Sequence, residues 1–332
     1  MRTRQSTFYS DGIRLDGLLQ CPDRPAHGRL PTVVLCSGYQ GLKEIMPAKF
    51  WGPFTDAGYA CFAFDYRGFG TSDGERGRFL PEELVEDVRN AITFLGQQPP
   101  LDPDRIGLLG WGFGGGVVVQ AAAQDTRVRA VACVNGVGDA GRAVRDTRPY
   151  SEWLAMQDRI EEDRRRRVLT GRSERVSPWE VVPLDPATRT VVDDDMYGKH
   201  ERFGVEVSLQ SAEAYYAFRP ELVVNQISPR SLLIVHGVRN ALHPIDEARS
   251  LYARAEAPKE LVEIPGGHHL DWIQLDSPAR EGVMSRIIEW FLQYLPVDGA
   301  PAVDTGPGHA SAIVCTRTEP GARADRIERA KA

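Results

Sequence analysis

The stretch that decides the fold is "RIGLLGWGFGGGVVVQAAA", residues 105–123. Its two apolar runs on either side of a glycine-rich turn predict a strand, a turn and a helix. The centre, Gly110–Gly115, fits the dinucleotide-binding pattern G-x-G-x-x-G. It also fits the nucleophile-elbow pattern G-x-S-x-G, with Gly112 in the place of the serine.

The dinucleotide interpretation fails on its second requirement. An acidic residue should end the next strand, about 20 residues on, to bind a ribose hydroxyl. The run "VRAVACVNG" (128–136) ends in Val-Asn-Gly and offers no carboxylate there. A dinucleotide turn should also follow the first strand of its unit, whereas several strand–helix units precede this one. We therefore expect no nucleotide cofactor, and no metal site, because the cysteines lack metal-ligand spacing.

The rest of the chain alternates strand and helix patterns around this stretch. Residues 7–19, with Asp11-Gly12 at their centre, predict an N-terminal β-hairpin. Apolar strands are predicted at 32–38, 59–68, 128–136, 231–237 and 260–267, and helices at 44–57, 81–98, 244–255 and 278–294. This alternation predicts an α/β fold, a mostly parallel sheet with helices on both faces.

Residues 140–228 interrupt the alternation with a segment rich in charged and aromatic residues. Because the segment falls between two strands of one sheet, it is predicted to be an inserted helical lid over the ligand-binding edge. A helical insertion without a pocket is the alternative. The core then comprises 1–139 and 229–296, and the Gly-, Pro- and Ala-rich tail 297–332 is predicted to be disordered.

Composition excludes several classes of partner. The 332 residues carry a net charge of −6 with no basic stripe, which argues against nucleic acid. No run approaches the roughly 18 apolar residues of a membrane span. The sequence has five cysteines, and this odd number predicts reduced thiols rather than a set of disulfides. The N-terminus lacks the apolar core of a signal peptide, so we expect a cytoplasmic protein. The oligomeric state, monomer or homodimer, stays open.

Other segments of the chain contain the motifs that accompany a nucleophile elbow. They contain "VVLCSGYQGLKE" (33–44), "FDYRGFGTSDG" (64–74), "SLLIVHGVRN" (231–240) and "IPGGHHLDW" (264–272). With the turn, these motifs resemble the α/β-hydrolase superfamily, in its dienelactone-hydrolase-like and related esterase and peptidase branch. The resemblance spans about residues 7–295 and implies the α/β-hydrolase fold.

The resemblance also implies where a catalytic triad would stand. Gly112 occupies the nucleophile position, Asn240 the acid position and His269 the histidine position, with His268 as the less favoured neighbour. Glycine cannot attack a carbonyl, so ordinary acyl-enzyme catalysis is excluded. Asp139 is an alternative acid for His269, and a surface aspartate in a loop is the equal alternative interpretation.

The predicted oxyanion hole does not depend on the missing serine. It would use the backbone N–H groups of Phe113 and Tyr39, and both survive a change to glycine at the elbow. Ser37 lies on the wrong strand end to replace the nucleophile. The residues predicted to contact a bulky aromatic substrate are Ser37, Trp111, Trp153, Tyr215 and Tyr216, with ordinary core packing as the alternative for the aromatic ones.

The favoured function is a non-hydrolytic enzyme of specialised, polyketide-type metabolism. The oxyanion hole and His269 would stabilise an anionic intermediate during C–C bond formation or rearrangement. This is similar to the role of an α/β-hydrolase-fold enzyme of anthraquinone-fused enediyne biosynthesis, which forms a C–C bond. The alternatives are a cofactor-free oxygenase, a pseudo-hydrolase that acts as a binding protein, and a weak hydrolase in which the histidine activates water.

Overall fold

The computed structural model describes residues 2–23, 28–274, 277–298 and 314–318. Its strands are β1 (Arg2–Ser10), β2 (Ile13–Cys21), β3 (Leu30–Cys36), β4 (Ala60–Phe64), β5 (Leu101–Trp111), β6 (Val128–Val134), β7 (Arg175–Val176), β8 (Val207–Ser208), β9 (Ser231–Gly237), β10 (Lys259–Ile264) and β11 (Val314–Thr318). Its α-helices are α1 (Ala48–Asp56), α2 (Pro81–Gly96), α3 (Phe113–Gln124), α4 (Ala140–Asp146), α5 (Tyr150–Thr170), α6 (Pro178–Val181), α7 (Pro186–Val191), α8 (Leu209–Ala217), α9 (Ile245–Arg254) and α10 (Arg280–Tyr294).

Nine of these strands form one sheet in the order β1-β2-β4-β3-β5-β6-β9-β10-β11. The six from β4 to β10 in that order are parallel, and antiparallel pairs flank them at both edges. Strands β3, β4 and β9 are buried along their whole length, as expected when helices cover both faces of a parallel sheet. The predicted α/β-hydrolase fold is confirmed.

The N-terminal hairpin is confirmed and extends further than predicted. Strands β1 and β2 pair in register from Arg2↔Cys21 to Ser10↔Ile13. Asp11 and Gly12 join them with φ values of +49° and +80°, the conformation that a two-residue type I′ turn requires. Helix α1 begins at Ala48 rather than at the predicted Glu44, and Pro47 stands immediately before its first residue.

The residues from 140 to 228 leave the sheet after β6 and return to it at β9, which is the neighbour of β6. They contain α4 to α8, the small β7–β8 sheet, 3-10 helices at Pro220–Leu222 and Val224–Ile227, and a π-helical segment at Val192–Met196. We call this segment the insertion. Arg142, near its start, pairs with Glu221, near its end, and with Glu247 of α9.

One segment near the end of the sequence adds a strand to the sheet. Residues 314–318 form β11, which pairs antiparallel with β10 from Lys259↔Thr318 to Glu263↔Val314. The free edge of β10 offers these five residues backbone hydrogen bonds, and the disorder predicted for the tail 297–332 stays a prediction. Residues 299–313 and 319–332 lie outside the described part of the chain. Within that part, no helix combines the length and apolar character that crossing a membrane requires.

Candidate active site

The turn between β5 and α3 is a sharp strand-to-helix elbow. Gly112 stands at its apex with φ +58° and ψ −129°, a conformation that side-chain-bearing residues rarely adopt. The flanking glycines are needed for close packing. A Cβ on Gly110 would collide with the carbonyl of Gly114, and a Cβ on Gly114 would collide with the carbonyl of Ser37. The elbow geometry is thus present although the nucleophile is absent.

His269 reaches the elbow from the loop that follows β10. A Cβ built on Gly112 would lie 3.3 Å from Nε2 of His269 and 3.5 Å from its Cε1. The imidazole therefore faces the position that a serine side chain would occupy. The structure brings together these two sequence-predicted positions, which are 157 residues apart in the chain.

Asn240 fixes the tautomer of His269. Its Oδ1 accepts the backbone N–H groups of Leu242 (3.1 Å) and His243 (3.0 Å), so this atom is the amide oxygen and not the nitrogen. The same Oδ1 lies 3.2 Å from Nδ1 of His269. Since an amide oxygen only accepts, Nδ1 carries the proton, and Nε2 presents its lone pair toward Gly112.

The site is electrically neutral. Burial lowers the pKa of His269 well below its usual 6.5, and the neighbouring His243 and His236 lower it further. Burial also lowers the pKa of His243 to about 4 and that of His236 to about 3. Where a triad would place a carboxylate, the Asn240 amide offers no charge to stabilise an imidazolium. His269 is therefore a neutral acceptor at physiological pH.

Asn135 is a site residue that sequence reasoning did not select. It follows β6 with φ +49°; its Nδ2 donates to the carbonyl of His269 (2.7 Å) and its Oδ1 accepts N–H of Gly237 (2.9 Å). Its carbonyl accepts Nδ1–H of His243 (2.8 Å). Asn135 thus joins the ends of β6 and β9 to the His269 loop. Its sequence signal is an Asn-Gly pair directly after a buried strand.

His243 is the second residue that sequence reasoning missed. Its ring packs edge to face against His269, with centroids 5.0 Å apart, and it is 2% exposed. It stands three residues after Asn240, in the same loop. Its sequence signal is this spacing, since residues close to the acid position reach the same end of the sheet.

The backbone N–H groups of Tyr39 and Phe113 flank the elbow. A Cβ on Gly38 would lie 3.5 Å from the nitrogen of Phe113, so the loop that carries Tyr39 approaches the first residue of α3. Neither N–H donates a hydrogen bond within the described part of the chain. The positive end of the twelve-residue helix α3 adds to their potential. Their joint action as an oxyanion hole remains a prediction.

A buried ion-pair cluster anchors the Tyr39 loop. Lys43 donates through its backbone N–H to Asp65 (2.9 Å) and through Nζ to the same carboxylate (2.6 Å). Its Nζ also lies 3.1 Å from Asp16 of β2 and donates to Thr71 (2.8 Å). The loop that carries one of the two predicted oxyanion donors is therefore tied to β2 and to the loop after β4.

An apolar cavity of about 70 Å³ lies above the elbow. The core contributes Tyr39, Trp111, Phe113, His243 and His269 to its lining, with small and aliphatic neighbours. The insertion contributes Trp179, Val182, Leu184, Thr188, Val192, Met196, Phe203 and Tyr215. Among the described residues that line it, none is Asp, Glu, Lys or Arg. The cavity has room for about two waters.

The predicted substrate-binding residues divide into two groups. Trp111 and Tyr215 line the cavity. Ser37 is buried and lies against Gly114 instead. Trp153 and Tyr216, with ring centroids 5.1 Å apart, line a separate cavity between α5 and α8. The structure therefore does not bring these last three residues to the space above the elbow.

Asp139, the alternative acid, is engaged elsewhere. Its carboxylate caps α4 by accepting N–H of Arg142 (2.9 Å) and pairs with Arg219 (3.2 Å). It lines the separate cavity with Trp153 and not the cavity of His269. In the described part of the chain, no cluster of three or more His, Cys, Asp or Glu side chains is arranged to hold a metal ion.

The sheet order, the elbow after β5 and the facing histidine define an α/β-hydrolase. The chain belongs in particular to the Hydrolase_4 family, described as serine aminopeptidase, S33, whose model matches residues 29–273. Family membership does not restore the nucleophile, because the elbow position is glycine in this chain.

Two curated relatives cover most of the chain. An uncharacterised 31.7 kDa protein of Escherichia coli is 29% identical over 266 residues, 80% of this chain and 91% of its own. The polyketide transferase GrgF of Penicillium is 28% identical over 290 residues, 86% of this chain and 94% of its own.

Solved structures agree on the fold. The GrgF structure superposes with a TM-score of 0.73 at 22% identity, covering 89% of this chain and 99% of its own. DcsB, solved with its substrate analogue, gives a TM-score of 0.76 at 20% identity, covering 89% of this chain and 99% of its own. The chain is thus related to α/β-hydrolases associated with polyketides.

Proposed function

We propose that this protein is a non-hydrolytic enzyme that promotes C–C bond formation or rearrangement on a polyketide-type substrate. The observation that carries the proposal is the neutral His269, whose unprotonated Nε2 faces the empty nucleophile position. Similarity to a protein named polyketide transferase supports the substrate class.

His269 is suited to acidic substrates and to no others. It lacks a carboxylate partner, and burial lowers its pKa, so it is a weak base. It can take a proton from a phenol, an enol or a carbon between two carbonyls, because such groups release protons readily. Polyketides carry these groups along their length, whereas the amide of a peptide substrate does not.

The released electron pair would rest on the substrate oxygen. The proton moves from the substrate to Nε2, and the resulting enolate or phenolate oxygen lies against the N–H groups of Tyr39 and Phe113. One such donor contributes roughly 3 kcal/mol to a developing oxyanion. The nucleophilic carbon of that anion then attacks an electrophilic carbon, and His269 returns the proton to the product oxygen.

The insertion would act as a lid in this reaction. Its side chains form one wall of the cavity, and the volume of about 70 Å³ is far smaller than a polycyclic substrate needs. Entry of substrate therefore requires that the insertion move away from the elbow. Its closure would exclude water, which protects a carbanion from protonation by solvent.

The test uses a soluble mimic of a carrier-bound polyketide, the N-acetylcysteamine thioester of 3,5,7-trioxo-7-phenylheptanoic acid, in which C2 can attack the C7 ketone and close a six-membered carbocycle. Mass spectrometry in H₂¹⁸O and, separately, under ¹⁸O₂ distinguishes the outcomes. We expect a cyclised product without label that retains the thioester, as aldol closure through carbon requires; an unlabelled 2-pyrone that has lost the thiol would show closure through oxygen and contradict the proposal. An acid labelled from water would establish a hydrolase, a product labelled from O₂ an oxygenase, and binding without turnover a binding protein.

Two variants complete this test. His269→Gln retains a side chain of similar size and removes the base, so the cyclised product should fall to the uncatalysed level. Gly112→Ala adds one methyl group that faces the imidazole, and it should slow the reaction without changing the products. Equal turnover by His269→Gln and the wild type contradicts the proposal.

A further inference from the structure

His243 lines the cavity and carries a second unprotonated ring nitrogen at the site. Its Nδ1 lies 2.8 Å from the carbonyl of Asn135, and a carbonyl only accepts, so Nδ1 carries the proton. Nε2 is then the unprotonated atom, and within the described residues it has no hydrogen-bond partner. The ring is among those that line the cavity above the elbow.

This tautomer is locked. Asn135 is itself fixed by its hydrogen bonds to the His269 carbonyl and to Gly237, so its own carbonyl cannot turn away from His243. Burial lowers the pKa of His243 to about 4, and the neutral form persists at physiological pH. His243 therefore offers one fixed lone pair and cannot donate a proton to a ligand from Nε2.

The polar groups of the cavity form a complementary set. Four of its groups are the acceptors Nε2 of His269 and Nε2 of His243 and the donor N–H groups of Tyr39 and Phe113. The lining residues Trp111 and Tyr215 add an indole N–H and a hydroxyl, which are also buried without partners in the described part of the chain. No charged side chain lies among the described residues that line it. A ligand that satisfies the first four groups carries a carbonyl oxygen for the two backbone donors and two acidic hydrogens for the two acceptors.

We propose that His243 is a specificity-determining residue that binds a hydroxyl group of an uncharged hydroxyaryl ketone. One acidic hydrogen of this substrate faces His269, and the hydroxyl donates to Nε2 of His243. This inference rests on the proposed function, since it assigns a substrate class to the same site. An uncharged ligand is favoured over a carboxylate or a phosphate because the described lining residues include no cationic side chain to pair with a full negative charge.

Two substitutions separate recognition from structural support. His243→Asn places an amide N–H where Nδ1–H stands, so it keeps the hydrogen bond to Asn135 and removes Nε2. His243→Gln places its amide oxygen near the position of Nε2, so it keeps the acceptor and loses the Nδ1 donor. A merely structural His243 would be replaced better by asparagine, and a recognition residue by glutamine.

The probes are 3- and 4-hydroxyacetophenone and their fluoro analogues, which have nearly the same size and no O–H donor. Calorimetry at pH 6.5 measures the ratio of dissociation constants within each protein, so a change in overall stability cancels. For at least one isomer we expect the wild type to prefer the hydroxy compound about five- to tenfold. The preference should fall below twofold in His243→Asn and persist in His243→Gln.

An unchanged preference in His243→Asn, or no preference in the wild type, overturns the inference. Binding and turnover are read separately. If the preference depends on His243 while the thioester gives no cyclised product, the proposed reaction fails and the assignment of hydroxyl recognition stands. If the product forms but the wild type shows no preference, the inference about His243 fails alone.

Discussion

Two substitutions at the residue scale change the chemistry of the site without removing its geometry. Glycine at position 112 removes the nucleophile and leaves space in front of His269. Asparagine at position 240 keeps the hydrogen bond to Nδ1 but supplies no negative charge. The pair therefore converts a site for acyl transfer into one in which a neutral imidazole faces an empty, apolar space.

Restoring the acid should change the charge state of the histidine. In Asn240→Asp a carboxylate would face Nδ1 of His269 across the 3.2 Å separation that the amide oxygen has now. Because an opposite charge favours the imidazolium, the pKa of His269 should rise. A ¹⁵N NMR titration of the histidine side chains measures this. In Asn240→Ala the pKa should stay low, and an unaltered titration in Asn240→Asp would contradict our account.

Restoring the serine alone should not restore hydrolysis. Gly112→Ser places a side chain at φ +58° with its Cβ 3.3 Å from Nε2, so we expect a loss of about 1–3 kcal/mol in the free energy of unfolding. The serine hydroxyl would face a histidine that has no carboxylate partner. In a serine triad, replacing the aspartate by asparagine lowers kcat by about 10⁴. Hydrolysis of 4-nitrophenyl acetate measures the activity.

The double variant Gly112→Ser with Asn240→Asp provides the comparison. It should hydrolyse the ester faster than Gly112→Ser by up to about 10⁴. Gly112→Ala is the matched control for strain, because it adds the Cβ without the hydroxyl. Equal rates in the single and double serine variants would show that Asn240 does not limit the base.

At the element scale, the site forms where three strand ends meet. The elbow follows β5, Asn135 follows β6, and Asn240 and His243 follow β9. Asn135 connects these elements through four hydrogen bonds: its N–H donates to the carbonyl of Val235 in β9, its side chain donates one and accepts one, and its carbonyl accepts one. The His269 loop is thus positioned by a neighbouring strand as well as by β10.

Removing the Asn135 amide should destabilise the protein strongly. Asn135→Ala leaves the Gly237 N–H and the His269 carbonyl buried without partners, at a cost of about 1–3 kcal/mol each. Asn135→Gly loses the same two hydrogen bonds, but glycine adopts φ +49° readily. Its free energy of unfolding should therefore exceed that of the alanine variant by about 1 kcal/mol. Chemical denaturation measures both. Greater stability of the alanine variant would contradict a role for the left-handed backbone.

At the scale of the whole molecule, the insertion is attached to the core near both of its ends. Arg142 binds Glu221 and Glu247, and Glu247 also accepts the N–H groups of Gly138 and Asp139. Opening of the cavity would therefore involve the central part of the insertion, from α6 to the π-helical segment, whose residues form the cavity wall.

Three buried histidines should make stability depend on pH. The folded-state pKa values of His236, His243 and His269 are lowered from 6.5, so below that pH the unfolded chain binds more protons than the folded one. Stability is complete above about pH 6.5 and is lost as the pH falls, with a slope approaching 1.4 kcal/mol per pH unit for each histidine. Urea unfolding from pH 7.5 to 5.5 measures this dependence.

His243→Asn tests the assignment, because it removes one of the three groups and should reduce the slope by about a third. The range stops at pH 5.5 because burial raises the pKa values of Asp87 and Glu247, which act in the opposite direction when they titrate. Stability that is constant from pH 7.5 to 5.5 would show that these histidines are not buried in their neutral form.

The sequence by itself determined the fold and the chemical character of the elbow. Periodic apolar runs and the glycines of residues 105–123 specify a parallel sheet with a sharp turn, because no other residue fits the close approaches at Gly110 and Gly114. The positions of Gly112, Asn240 and His269 follow from the order of elements along the chain. These features can be predicted because each depends on a short stretch of sequence or on the hydrophobic period of a single strand or helix.

The tertiary structure decided which of the candidates share one space. Asp139, Trp153 and Tyr216 lie at a separate cavity, although the sequence places them as plausibly as Tyr215. Asn135 and His243 enter the site through hydrogen bonds between strand ends that are about a hundred residues apart. The direction of a side chain on a helix or loop depends on packing against elements that are distant in the sequence. The periodicity of one element does not specify that packing.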